Sequence, residues 1–208
     1  MEKINIITSY AAPLPMAGIN TDIISPMKRN IYPCDLGLFA FEPIRYIDGD
    51  GDIGQPDPSF PFNRPPYKNA RILLAGENFG CGSSRETAAI GIARMGVQCI
   101  ISNSFGGIFM RNCYQQGILP ILLPQEQTAA MFKQTENGPF MVNLPEQTVT
   151  MPDGTQVSFA IERFRKDALL NGLDMISATL RYKDDILSYK AEAARERPWI
   201  FLPVDSRQ

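Results

Sequence analysis

Histidine is absent from all 208 residues. That removes the usual general base near neutral pH, the second member of Ser-His and Cys-His pairs, and the commonest metal ligand. Any chemistry must use other groups, or groups from another chain. Cysteine is sparse, and Cys34, Cys81, Cys99 and Cys113 stand singly, without the paired spacing of metal or redox sites. Reduced, packing thiols are expected, and no metal held by this chain. No run of Lys or Arg exceeds a pair and the formal net charge is -2, so the electrostatic footprint of a nucleic-acid or anionic-membrane binder is missing. No segment approaches the length of a membrane span, and the opening MEKINIITSYAAPLP has neither a basic leader nor a cleavage region. The expected location is cytoplasmic. There is no internal repeat and no low-complexity linker.

What is present is the composition of a globular protein, 44% hydrophobic and 20% charged. A chain of this length buries roughly 70% of its unfolded surface, so its core needs no disulfide or structural metal. One domain over residues 1–208 is expected, in three stretches: a loop-rich part at 1–69, a core at 70–125, and strands and helices at 126–208.

The first stretch is rich in Gly, Pro and Asp, with a strand at 4–8, a turn at Asn20-Thr21-Asp22-Ile23-Ile24-Ser25-Pro26, and an extended surface connection at 55–66. From 70 onward strand and helix signals alternate: strands at 71–75, 97–101 and 119–123, helices at 84–95 and 105–116. This predicts an α/β fold with a mostly parallel β-α-β-α-β core. Further strands are expected at 140–144, 148–151 and 156–160, the last two joined by a Pro152-Asp153-Gly154 hairpin turn. C-terminal helices follow, one ending at Asn171-Gly172 and one capped by Asp174.

The stretch Gly80-Cys81-Gly82-Ser83-Ser84-Arg85-Glu86 joins the first core strand to its helix. Open α/β folds place ligands at the carboxyl edge of the sheet, and a helix start offers unpaired N–H groups to an anion. Gly80 and Gly82 let a ligand approach the backbone. Arg85 opposes the helix dipole there, which suggests an anion to clamp, and its fork suits a carboxylate. A bland reading exists as well, since Ser83 and Glu86 have capping-box spacing. Other motifs fail: the dinucleotide fingerprint lacks its third glycine, the P-loop its Gly-Lys pair, and the hydrolase elbow its histidine. Asp48-Gly49-Asp50-Gly51-Asp52 mimics a calcium loop, but Ile53 stands where glycine is required, so a solvated turn is expected.

Longer motifs carry a resemblance. Gly76-Glu77-Asn78-Phe79-Gly80-Cys81-Gly82-Ser83-Ser84-Arg85-Glu86, Ser104-Phe105-x-x-Ile108-Phe109-x-x-Asn112, Gly117-Ile118-Leu119-Pro120, Asn20-Thr21-Asp22-x-Ile24-x-Pro26 and Asn171-Gly172-Leu173-Asp174 span nearly the whole chain. Together they resemble the swivel domain of the aconitase superfamily, and within it the family of bacterial 3-isopropylmalate dehydratase small subunits. The resemblance implies a swivelling β/β/α domain, and a hydro-lyase active only with a separate large subunit that carries a 4Fe-4S cluster. This chain alone would bind no cofactor; isolated, it is open to self-association. Ser83 is implied as the base, acting as an alkoxide, Arg85 as the grip on a carboxylate of a small dicarboxylate substrate, and Ser84 as support.

Candidate substrate contacts are Asn20, Thr21, Asp22, Lys28, Arg29, Tyr32, Gly80 and Gly82. For Lys28 and Arg29 a second carboxylate contact and solvated loop charges stay equally open, and Asp22 is at least as much a turn former. Cys81 is read as packing. Two stretches depart from the family pattern: Thr87-Ala88-Ala89 replaces His-Ala-Pro, and Asn30-Ile31-Tyr32-Pro33-Cys34-Asp35 occupies the region of a Thr-Arg-Thr-Gly-like recognition stretch. A related malate-type acid (methylmalate, citraconate or dimethylmalate) is therefore an alternative substrate, and a non-catalytic anion-binding module an alternative function.

Overall fold

Four short apolar strands that pair in parallel form the centre of the protein. The structure, a computed structural model, describes residues 1–30, 35–47 and 53–201. Strands β1 (Ile6–Ser9) and β2 (Ala11–Leu14) open the chain. One-turn helices follow, α1 (Thr21–Ile24), α2 (Met27–Asn30), α3 (Leu36–Phe39) and α4 (Glu42–Arg45), then the short pair β3 (Tyr46–Ile47) and β4 (Gln55–Pro56). The core runs β5 (Ile72–Ala75), α5 (Glu86–Arg94), β6 (Cys99–Ser102), α6 (Gly107–Gln115) and β7 (Leu119–Leu122). Helix α7 (Gln125–Phe132) leads to β8 (Phe140–Asn143), β9 (Thr148–Thr150), β10 (Gln156–Ser158) and α8 (Arg163–Asn171), and then come α9 (Met175–Leu180) and α10 (Lys183–Glu196).

The parallel sheet has the order β2-β5-β6-β7, and an antiparallel sheet the order β1-β8-β9-β10. Side chains alternate across each parallel strand and so supply two cores. Leu73, Ile100, Ala12 and Leu14 face the helices, packing with Ala88, Ala89, Ile92, Phe109 and Cys113. Ile72, Leu74, Cys99, Ile101, Leu119 and Ile121 face the antiparallel sheet and meet Ile7, Phe140, Val142 and Val149. Both faces are covered, which is why these strands read as unbroken apolar runs. The layering is the β/β/α arrangement expected.

By contact, residues 1–172 form one compact unit and residues 173–208 a second. In the second, the Asp174 side chain accepts the Ser177 N–H at 2.6 Å and caps α9, and Tyr182 separates it from α10. Ile176 and Leu180 lie on α9 and Leu187 on α10, and all three are exposed. Among the described residues no helix is long and apolar enough to cross a membrane.

The N-terminal excursion departs from the expected loops. Strand β2 was not foreseen, because Ala11-Ala12-Pro13-Leu14 has no β-branched residue; Pro13 is tolerated because β2 is an edge strand. Pro120 lies on β7, the opposite edge. The expected turn at 20–26 is a helical turn, since the Asn20 side chain accepts the N–H groups of Asp22 and Ile23, each at 3.0 Å. Residues 55–66 run at the surface as expected for most of their length but are anchored in the middle, where Phe60 and Phe62 are only 3% and 4% exposed, and Phe60 packs on Phe41. Glu42 pins the excursion from below. Its buried carboxylate takes both Nε and Nη2 of Arg29, at 3.0 and 2.7 Å, and Lys28 Nζ at 3.1 Å, while the Arg29 guanidinium lies 3.9 Å over the Phe39 ring.

Two measurements test these packings. Leu74→Ala removes a fully buried side chain between two sheets and should cost about 2–5 kcal/mol in urea unfolding. The Arg29 hydrogen bond, ahead of the Lys28 contacts, holds the Glu42 carboxyl below its ordinary 4.5. A depressed folded value gives stability that is present above pH 4.5 and is lost as pH falls through the folded value. Glu42→Gln should therefore be less stable than wild type by about 1–3 kcal/mol near neutrality. The gap should close in acid, and a gap constant from neutrality down through acid would exclude this role.

Candidate active site

Parallel strands end at one edge of their sheet, so the loops leaving β2, β5 and β6 emerge together. Backbone bonds weave them. Gly76 and Gly18 N–H donate to Leu14 and Glu77 carbonyls at 2.9 and 2.8 Å, and Gly80 and Thr21 N–H donate to Ile19 and Cys81 carbonyls at 2.8 and 2.9 Å. From the β6 side, the Phe79 N–H donates to Ser104 O at 3.1 Å and the Gly106 N–H to Phe79 O at 2.9 Å. Gly80 has φ +71°, and a Cβ there would sit 2.2 Å from Cγ of Phe109. The missing side chain is thus required by the Phe109 ring, and Gly80 is buried. Gly82, at φ +94°, is exposed and lies against Asn20 and Thr21.

The turn delivers Ser83 and Ser84 to the surface, both exposed. The Ser83 Oγ lies 3.0 Å from Thr21 Oγ1, which also accepts the Ser83 N–H at 3.1 Å and reaches Ser83 O at 3.3 Å. The capping box does not form. Glu86 instead accepts from Gln116 Nε2 at 2.9 Å, and the N-cap of α5 is Arg85, with no side-chain cap bond. Ser84 has no hydrogen-bond partner among the described residues.

Arg85 turns its guanidinium inward, with 12% of its side chain exposed. Its bonds run through Nη1, to Ser25 O at 2.7 Å, Asp22 Oδ1 at 2.7 Å and Thr21 O at 3.4 Å. Among the described residues Nε and Nη2 have no partner, and these are the atoms a carboxylate would bridge. Asp22 is 62% exposed and holds Arg85 from the solvent side. Thr87 joins the cluster by accepting a hydrogen bond from the Ser25 hydroxyl at 3.1 Å.

The candidates thus divide. Asn20, Thr21, Asp22, Gly82, Ser83, Ser84 and Arg85 come together at the loop crossing. Lys28 and Arg29 meet Glu42 instead, and Tyr32, with Cys34 and the Asp48-to-Asp52 turn, lies outside the described residues. Cys99 and Cys113 are buried, and burial pushes their thiols upward; Cys81 is half-buried, 3.6 Å from Gly18 O. Among the described residues, no group of three or more His, Cys, Asp or Glu gathers to hold a metal ion.

Sequence reasoning missed the supporting polar groups. Ser102 Oγ, fully buried, donates to Gly76 O at 2.7 Å or to Ser104 O at 2.9 Å, and Ser104 Oγ accepts the Asn78 N–H at 2.7 Å. Their signal was available: a Ser-Asn-Ser run where an apolar parallel strand ends at the ligand edge. Ser25, which offers its backbone carbonyl to Arg85, leaves no such mark.

Comparison with known proteins agrees with this geometry. The model of the aconitase C-terminal domain family matches residues 5–126, and that described as LeuD_N matches residues 129–162. A 3-isopropylmalate dehydratase small subunit from Jannaschia sp. is 43% identical over 96% of this chain and 100% of its own length. One from Ruegeria sp. is 42% identical with the same coverage. The solved structure of a 3-isopropylmalate dehydratase (leuD) from Methanocaldococcus jannaschii superposes with a TM-score of 0.64 over 89% of this chain and 99% of that one; at 24% identity it speaks to the fold. With motifs, fold and full-length relatives in agreement, the chain belongs to the family of 3-isopropylmalate dehydratase small subunits, built on the aconitase C-terminal domain.

Proposed function

We infer that this chain is the small subunit of a hydro-lyase that interconverts 2-isopropylmalate and 3-isopropylmalate by dehydration and rehydration, the isomerisation step of leucine biosynthesis. The observation that carries the reading at the level of chemistry is Arg85: mostly shielded from solvent, tethered through Nη1, without a partner at Nε and Nη2 among the described residues, and next in sequence to two exposed serines. The name shared by the full-length relatives favours isopropylmalate over methylmalate, citraconate or dimethylmalate, and an enzyme over a passive anion-binding module. A small subunit implies a large one. We assign the 4Fe-4S cluster to that partner, because the thiols described here do not gather and two of them are buried. The two chains would work in the cytoplasm.

Dehydration removes a proton from one carbon and hydroxide from its neighbour, and the C–H electron pair becomes the double bond. In our reading Ser83 takes that proton as an alkoxide, and its O–H returns it on rehydration. Arg85 holds the carboxylate beside the C–H bond, so that the negative charge spreading toward that carboxylate as the proton leaves meets a fixed cation. Asp22, Ser25 and Thr21 orient the guanidinium through Nη1. Ser84 and the Gly82 backbone line the same rim.

Reconstitution with the large subunit tests the assignment. Ser83→Ala should lower kcat by at least about 100-fold, the low end for a lost proton-transfer group. Its thermal stability should stay near wild type, because the hydroxyl is at the surface; turnover close to wild type would sink the reading. Arg85→Lys keeps the charge and loses the fork, so kcat/KM should fall by about 10- to 100-fold, the equivalent of one charged hydrogen bond. A kcat/KM equal to wild type would remove Arg85 from the site.

A further inference from the structure

Thr21 stands among the expected substrate contacts, yet it is fully buried, and among the described residues its hydroxyl hydrogen-bonds only with Ser83: the N–H at 3.1 Å, the carbonyl at 3.3 Å and Oγ at 3.0 Å. A hydroxyl has one proton and two lone pairs. The Ser83 N–H uses one lone pair, which leaves one acceptor position and one proton for two neighbours. When Ser83 is protonated, its O–H donates to Thr21 Oγ1 and the Thr21 proton turns to the Ser83 carbonyl. When Ser83 is an alkoxide, the Thr21 proton turns to Oγ, and the carbonyl, at an exposed residue, is left to solvent. One rotation about the Thr21 C–O bond therefore converts an acceptor into a donor without moving a heavy atom.

We propose that Thr21 is the positioning residue of the base, a buried hydroxyl rotor that donates to Ser83 Oγ when that oxygen is charged and accepts from it when it is not. The proposal rests on Ser83 being the base and deepens that reading. The proton taken from substrate carbon stays on Ser83 Oγ; Thr21 exchanges none and keeps its own O–H throughout. Its contribution is a preorganised donor at the place where charge resides, and it requires no reorganisation of the surrounding loops.

The test uses the chain assembled with its large subunit and four variants: Thr21→Val, Thr21→Ser, Ser83→Ala, and Thr21→Val combined with Ser83→Ala. Thr21→Val keeps the shape and removes the rotor, so kcat should fall by about 100-fold, as for loss of one oxyanion donor, with KM within about threefold. Thr21→Ser restores the hydroxyl and should recover most of kcat. In the Ser83→Ala background Thr21→Val should cost nothing more, since there is no oxygen left to serve. If Thr21→Val does not assemble, Thr21→Ala carries the same expectations. Thr21→Val near wild-type kcat, a loss confined to KM, no rescue by serine, or a further loss on top of Ser83→Ala would each overturn the proposal. If Ser83→Ala is itself near wild type, the base assignment fails first and Thr21 falls with it; a dead Ser83→Ala beside an active Thr21→Val removes Thr21 alone.

Discussion

The parallel pairing of β2 with β5 is the constraint from which the site follows. Parallel neighbours finish at the same edge, so the chain leaving Leu14 and the chain leaving Ala75 emerge side by side. Antiparallel pairing would have put Asn20 and Ser83 on opposite edges. The first backbone bonds beyond the strands, Gly76 N–H to Leu14 O and Gly18 N–H to Glu77 O, extend the pairing as an open ladder until Thr21 meets Cys81. The clasp between Thr21 and Ser83 is then a continuation of sheet geometry by side chains.

That constraint is also where the sequence was hardest to read. The β5-α5-β6-α6-β7 core was legible because strands covered on both faces must be apolar throughout, and because Gly and Pro mark their ends. Strand β2 was not, since its four residues carry the signature of an irregular segment, and only its edge position excuses Pro13. The short helices of the excursion were equally hidden. A one-turn helix has no periodicity to detect, and its existence depends on caps such as Asn20 and on partners such as Glu42, which the chain brings in from elsewhere. The site was legible as a set of residues rather than as an arrangement. Gly80 was expected to make room for a ligand and makes room for Phe109; Thr21 was expected at the substrate and lies beneath the serine.

The cations Arg29 and Arg85 differ in how they are matched rather than in how deeply they are placed. Arg29 and Lys28 share the carboxylate of Glu42, and Arg29 adds the face of Phe39, so these contacts tie α2 to α4. Arg85 is just as deeply placed but incompletely matched. Asp22 meets one corner of it and main-chain carbonyls hold the same corner, while among the described residues Nε and Nη2 have no partner. In the proposed reading a substrate carboxylate completes that match.

A histidine-free chain with an exposed serine would be a poor catalyst by itself, and the reason is dielectric as much as missing groups. Beside bulk water an alkoxide competes with hydroxide, and the pull of Arg85 on a carboxylate is diluted by solvent. Covering the edge with a second subunit changes both at once. In the proposed reading, water would be displaced from Ser83, the guanidinium would act through a low-dielectric gap, and fixed donors would replace a mobile hydration shell. Each feature of the loop crossing fits that division of labour: serines presented outward, the cation already turned and tethered, and the supporting hydroxyls buried behind them where they do not depend on the partner. On the proposed function the small subunit would thus bring a preorganised half of the chemistry, and association would supply the dry environment in which that half has its full strength.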